Sequence, residues 1–439
     1  MQRIARAATA AVVLATGAAG VAGCEATGAA NAASRPAGLP ASRLATSIAD
    51  AYSFLNQMMD KYAAGTTTRL VQSFTGGFLG SQRFTASETY DDAVLIDAYL
   101  AAGNSGARSR AEVIGNGLLY AQANDPLKDG RIRAAYAPTP WRGHAAVVAD
   151  STAVPTGDLA WAGLALVQLY AATGKRAYLH GAEAIGDWVQ VNCFDTRGAG
   201  GYTGGETASG QEVAWKSTEH NIDLYGLFHL LAVVTGDPVW SARAAWARRF
   251  VAAMWDQPQG RFDIGTLNDG TTTNDGYSPE DINSWSYLAF RDPVFEGSVD
   301  WDVRNLAVTA HGFSGVSFCR ADRTGVWLEG TAHLADALAL TGNPRDRTLA
   351  VRYLSDIYHA QKRGPNNDGL GIISASRDGL SDCSGGLYYS SLHTGATAWY
   401  ILAADQINPF ALIQVSSTAA ASNSQNARSA ASLPVPSPR

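Results

Sequence analysis

Glu219 and Asp223 stand four residues apart in Lys216-Ser-Thr-Glu-His-Asn-Ile-Asp-Leu-Tyr225. A helix through this segment puts both carboxyls on one face, with His220 and Asn221 beside them. If that face is turned into a confined cavity, mutual repulsion and loss of water raise the pKa of one acid and keep it protonated, the state a general acid needs. The competing role is structural, with Ser217 as cap, Glu219 facing the helix dipole and Asp223 paired with Lys216 or an arginine. Ile222, Leu224, Leu227 and Leu230 make the segment apolar nearly all round, which favours a buried polar purpose.

Further acids occur in similar settings. Asp158 follows Thr156-Gly157 and leads into Trp161, and Glu329 follows Val326-Trp327-Leu328, where a lone carboxylate is costly. Asp91 and Asp92 sit in Ser87-Glu-Thr-Tyr-Asp-Asp-Ala93. Tyr90, Trp141, Trp161, Trp215, Tyr225, Trp285, Trp327 and Trp399 are candidate sugar platforms, with His220 and His333 as further substrate-binding candidates. Carboxylates among aromatic rings are what glycoside hydrolysis needs: one acid protonates the leaving oxygen, another activates water or attacks the anomeric carbon, and ring faces stack on the sugar. Ser278-Pro279-Glu280-Asp281, by contrast, reads as cap, first-turn proline and dipole-facing acids. Histidines 144, 220, 311, 333 and 393 lack the spacing of a zinc helix, so neither a metal nor a cofactor is expected.

These residues must be positioned by helices, and the helices repeat. Gly103, Gly174, Gly236 and Gly342 each follow an apolar helical pattern and precede a more charged one, while Arg291-Asp292-Pro293 marks a degenerate copy. That makes five hairpins. Arg43 to Tyr62 and Thr394 to Ala404 are left over and supply a sixth if they pair, giving an all-α (α/α)6 toroid; an open solenoid is the alternative.

The alternating inner and outer helices, the six hairpins and the export signal described below resemble the six-hairpin glycosidase superfamily of exported bacterial proteins, over about residues 41 to 410. The resemblance implies a glycan-acting enzyme and carries no catalytic residue with it. In such a ring the inner helices run parallel, so their N-termini gather at one end, where Glu219, Asp158, Asp223, Glu329, Asp92 and Asp91 are the candidate catalytic acids. Counted back from the hairpin glycines, Glu329, Asp223 and Asp91 share one level and Asp158 and Glu219 lie about a turn nearer the mouth. Two tiers leave room for a water-mediated, inverting mechanism. The rivals are a polysaccharide lyase or sugar epimerase depending on His220, His333 or His393, and a non-catalytic glycan-binding lipoprotein.

The remainder of the chain bounds these readings. Of its 439 residues 46% are hydrophobic and 16% charged, enough for a large core, and the net charge of −6 argues against a nucleic-acid partner. Arg3 and Arg6 ahead of an alanine-rich run read as an export signal over 1–23, and Val21-Ala22-Gly23-Cys24 resembles a lipobox, which implies lipid on Cys24; cleavage elsewhere in the run is the alternative. A cell-surface lipoprotein or secreted protein is expected, meeting the membrane only through that anchor and acting on its glycan as a monomer. Residues 24–40 read as a tether, 41–412 as the catalytic domain and 413–439 as a disordered tail. Cys319 and Cys383, both in loop-like sequence, form the expected disulfide, leaving Cys193 unpaired.

Overall fold

Glycine, a capping side chain and proline punctuate the helices. The computed structural model describes residues 38–63, 65–138 and 149–414, and thirteen α-helices lie among them. They are α1 (Ala41–Asp60), the short α2 (Gly77–Ser81), α3 (Thr89–Ala101), α4 (Ser105–Ala123), α5 (Thr156–Thr173), α6 (Arg176–Asn192) and α7 (Thr218–Thr235). There follow α8 (Pro238–Ala253), α9 (Glu280–Phe290), α10 (Glu296–Asn305), α11 (Leu328–Leu340), α12 (Pro344–Arg363) and α13 (Thr394–Asp405). Gly174 and Gly236 close α5 and α7 at φ 70° and 71°, a left-handed conformation that costs a residue with a Cβ. Asn104, Asp237 and Asn343 then cap α4, α8 and α12 through their side chains, and Pro238 and Pro344 occupy first-turn positions where no N–H is needed. The degenerate fourth turn works the same way, with Arg291 left-handed and Asp292 capping the 3-10 turn Pro293–Phe295.

The apolar odd-numbered helices α3, α5, α7, α9, α11 and α13 pack each on the next, and α13 returns to α3. The ring is closed. Outside it lie α4, α6, α8, α10 and α12, with α1 against α13 as the outer half of the sixth hairpin. The outer helices are amphipathic: α12 buries Ala350, Tyr353, Leu354 and Ile357 and carries its charges outward. Short antiparallel ladders fill the loops ahead of the inner helices, such as Phe74–Thr75 with Leu392–His393 and Val154–Pro155 with Gly205–Glu206. They steer each chain segment into the mouth of the ring. Cys319 and Cys383 are joined, and Cys193 is free and buried. The export signal, Cys24, the tether up to residue 37 and the tail from 415 lie outside the described residues, as does Trp141.

Candidate active site

Inner helices begin at the mouth, so the residues that open them line a common pocket. All six give it a titratable group near their first turn: Glu88 at the head of α3, Asp158 on α5, Glu219 on α7, Asp281 on α9, Glu329 on α11 and His393 at the head of α13. From α3 comes Tyr90, and Phe74, Trp161, His220, Trp285, Trp327, His333 and Tyr388 complete most of the wall. No lysine or arginine lines the pocket among the described residues.

Burial holds Asp158, Glu219, Asp281 and Glu329 protonated beyond the usual carboxylate range. Asp158 is pushed up to about 8 by burial and then by the charge of Asp91. Burial raises Asp281 to about 7, and it raises Glu329 to about 7 against the pull of His393. Glu219 is held well above its ordinary value by burial and by the charges of Asp281, Asp223 and Asp158. It makes no hydrogen bond or ion pair among the described residues. The histidines divide: burial lowers His220 to about 4 and His333 well below its usual value, so both are neutral. Burial also opposes charge on His393, yet Asp91 and Glu329 outweigh it and hold it raised.

A chain of contacts explains that difference. Trp399 Nε1 donates to the Tyr90 hydroxyl at 2.7 Å, and Tyr90 donates to Glu329 Oε1 at 2.9 Å. Glu329 Oε2 lies 3.5 Å from His393 Nδ1, and His393 Nε2 is 3.1 Å from both oxygens of Asp91. Phe74 stacks on the imidazole at 4.1 Å. Beneath, Trp161, Trp285 and Trp399 meet with centroids 5.1 to 5.9 Å apart, and His333 packs edge-on to Trp399 at 4.3 Å. Several polar atoms of the lining residues have no hydrogen-bond partner among the described residues, including Asp158 Oδ2, His220 Nδ1, His333 Nε2 and the indole N–H groups of Trp285 and Trp327. Buried polar groups left open in a pocket are what a hydroxyl-rich ligand satisfies.

The structure sorts the sequence candidates. Glu219, Asp158, Glu329, Tyr90, Trp161, Trp285, Trp327, His220 and His333 come together at the pocket. Asp223 lies behind the lining beside Gly157, and Asp91 lies behind His393. Asp92 does not reach it: its carboxylate accepts from the Val71 N–H and the Ser87 hydroxyl and so anchors the start of α3. Tyr225 packs on His229 and Phe290, away from the mouth, and Trp215 rests against His220 from outside the lining. Glu329 stands at the mouth with Glu219 and not a tier below, because α11 has 13 residues and α7 has 18, so counting from the hairpin glycines misplaces it. Lys216 is turned away, donating to the Arg197 carbonyl at 2.7 Å.

Asp281 shows that the cap reading of Ser278-Pro279-Glu280-Asp281 was incomplete. Ser278 accepts from Asn283 Nδ2 and does not cap α9; Glu280 meets His333 at 3.1 Å; Asp281 faces the pocket. Tyr388, Phe74 and Glu88 also line the pocket and lie in loop segments without periodicity.

No family model and no curated protein sequence matches the chain. Solved structures do match. D-mannose isomerase is 13% identical, with 85% of this chain and 98% of that one covered at a TM-score of 0.63. A family 76 glycoside hydrolase from a bovine Bacteroides thetaiotaomicron strain is 15% identical, with 83% and 78% covered at 0.58. Cellobiose 2-epimerase from Spirochaeta thermophila is 14% identical, with 84% and 98% covered at 0.58. The chain therefore has the (α/α)6 toroid fold, and the proteins it resembles in fold are carbohydrate-processing enzymes. At these identities the likeness is one of fold and assigns no reaction.

Proposed function

We propose that the chain is a glycoside hydrolase acting on a neutral oligosaccharide or polysaccharide. The observation that carries this reading is the set of acids from adjacent inner helices, the buried Asp158 and Asp281 and the half-buried Glu219, with raised pKa values above a tryptophan floor. Glu219, held protonated by burial and by the charges of Asp281, Asp223 and Asp158, gives its proton to the leaving glycosidic oxygen. Asp281, whose pKa of about 7 leaves it ionised more readily, takes a proton from the water that attacks the anomeric carbon. Asp158 is the second candidate for the base. An inverting course follows from a water held between two carboxylates.

One observation favours a second reading, an epimerase or isomerase. His220 and His333 are neutral and each keeps a ring nitrogen without a hydrogen-bond partner at the pocket, as a base that abstracts a sugar proton requires. Incubation with gluco- and manno-configured glycans followed by mass analysis separates the two. Products that have gained one water support hydrolysis, whereas products of unchanged mass and altered mobility support epimerisation.

We further propose that the N-terminal segment exports the protein and that Cys24 carries its lipid anchor. Cys24→Ala is expected to move the protein from the membrane fraction to the medium; unchanged membrane association overturns the anchor.

A further inference from the structure

The pocket wall above α11 is built by two loops, tied to the ring at Val316, whose N–H donates to Thr331 of α11, and to each other where Val326 accepts from the Ser376 N–H. One runs from Val316 to Trp327. The other contains a ladder in which Leu380 pairs with Tyr388 and Ser381 with Leu387. A ladder of two residues a side is marginal alone. Its turn is wound about Asp382, whose Oδ1 accepts the N–H groups of Ser384 and Gly386, both at 2.8 Å. Cys383 in that turn is bonded to Cys319 in the first loop, with the Cα atoms 6.5 Å apart. Asp322 adds a bond to the Ser381 N–H at 2.9 Å, and Arg377 meets Thr324.

The joined loops deliver two rings to the pocket. Tyr388 stacks on Trp327 with centroids 5.3 Å apart and planes at 29°, and Phe318 packs against both. Trp327 and Tyr388 line the pocket, and the Trp327 indole N–H is buried without a partner among the described residues. The Tyr388 hydroxyl is buried and stands within the field of Asp382 of its own hairpin and of Asp281, Glu329 and Glu219. The Phe318 carbonyl accepts the Glu280 N–H at 3.0 Å, so the loop that carries Cys319 also fixes the first turn of α9, next to Asp281.

We propose that the Cys319–Cys383 bridge clamps Trp327 and Tyr388 into one rigid subsite wall that binds a single neutral pyranose ring. The part of this stacked pair that lines the pocket takes the apolar C–H face of the sugar, and the acids nearby accept from its hydroxyls. This deepens the reading of the chain as a glycan-acting enzyme and rests on it.

The test uses the intact protein, a Cys319→Ser/Cys383→Ser double variant and Tyr388→Phe. Hydrogen exchange is followed by segment, and binding of cellobiose and mannobiose is followed by tryptophan fluorescence. Loss of the bridge is expected to quicken exchange in 317–327 and 377–391 while α3, α5 and α7 stay protected, and to weaken binding about tenfold, the effect of one lost hydrogen-bonded contact. Tyr388→Phe, with the bridge intact, is expected to weaken binding several-fold without faster exchange. A double variant that binds as the parent does, or exchanges as the parent does, overturns the clamp and leaves the glycan reading intact. A parent that binds neither disaccharide overturns the sugar assignment together with that reading, while the exchange result still decides the clamp. If the double variant fails to fold, dithiothreitol reduction of the folded parent puts the same question to 377–391.

Discussion

Glu329 on α11 faces His393 at the head of α13, with 3.5 Å between Oε2 and Nδ1. Because the other imidazole nitrogen is 3.1 Å from Asp91, one cation is shared by two acids from opposite sides of the junction that closes the ring. Glu329 is thus the pocket acid with a cation beside it, while Glu219 faces only other carboxylates among its charged neighbours. The same pocket holds acids of different character, which is how one cavity can supply both a proton donor and a proton acceptor.

Replacing His393 by glutamine removes that shared charge together with the ring nitrogen that caps α13 at the Ala396 N–H. The expected result is a loss of about 3–5 kcal/mol at pH 6, the range for stripping one partner from a buried charged pair. The folded pKa of His393 is raised above its ordinary value, so its contribution is full below that value and fades as pH climbs through the folded one. The melting-temperature gap between parent and His393→Gln should therefore narrow from pH 6 to pH 9. A gap that widens with pH would mean that the ring is held neutral.

The carboxylates act on stability in the same sense. Asp158, Asp281 and Glu329 have folded pKa values of about 8, 7 and 7, above those of the unfolded chain. Their contribution is full below the ordinary carboxylate range and is lost as pH rises through 7 to 8. The protein is expected to melt at a lower temperature at pH 8.5 than at pH 5.5, and Asp158→Asn is expected to recover roughly 2–4 °C of the difference at the higher pH. Thermal scans across that interval check it. A parent more stable at pH 8.5 would show that the acids are ionised and compensated.

Asp158, Glu219 and Glu329 were legible in the sequence because each opens an apolar helix, where a carboxylate has no packing reason to be. Asp281 was not, since a Ser-Pro-Glu-Asp run looks the same whether or not its serine caps the helix; only the bond from Asn283 to Ser278 shows that it does not. Asp91 and Asp92 are neighbours on one helix, and which of them turns inward depends on Val71 and Ser87, brought in by the preceding loop. Phe74 reaches the pocket through a ladder whose pairing is long in sequence, with His393, and Tyr388 through a local hairpin with Leu380 whose two-residue strands are too short for alternation to mark them. The ring itself could be read because its turns are written in glycine, a capping side chain and proline, a local code that needs no distant partner.

Gly157 is a point where the helices touch. A Cβ built there would stand 2.7 Å from His220 Cδ2 and 3.3 Å from Asp223 Oδ2, so the glycine admits the side chains of the next inner helix. Gly157→Ala is expected to destabilise by about 1–3 kcal/mol, the cost of overpacking a filled site, and to displace His220 into the pocket. Denaturant titration measures the first. A neutral substitution would show that His220 moves freely.

The division of labour between Glu219 and Asp281 has a kinetic signature. The base must be ionised and the acid protonated, so kcat/KM should rise through an acidic limb near the Asp281 value of about 7 and fall through an alkaline limb set by Glu219. Glu219→Gln should lower kcat by about 10²–10⁴-fold while the melting temperature holds or rises, because an amide relieves repulsion from Asp281, Asp223 and Asp158. Asp281→Asn should remove the acidic limb with most of the rate, and Asp158→Asn should leave that limb in place while shifting the alkaline one, since a negative charge near Glu219 is gone. The profiles are measured on whichever glycan yields hydrolysis products. If instead Asp158→Asn erases the acidic limb and Asp281→Asn keeps it, the base is Asp158. If both variants retain a full bell, water is activated by neither, and the neutral histidines His220 and His333 become the groups to replace next.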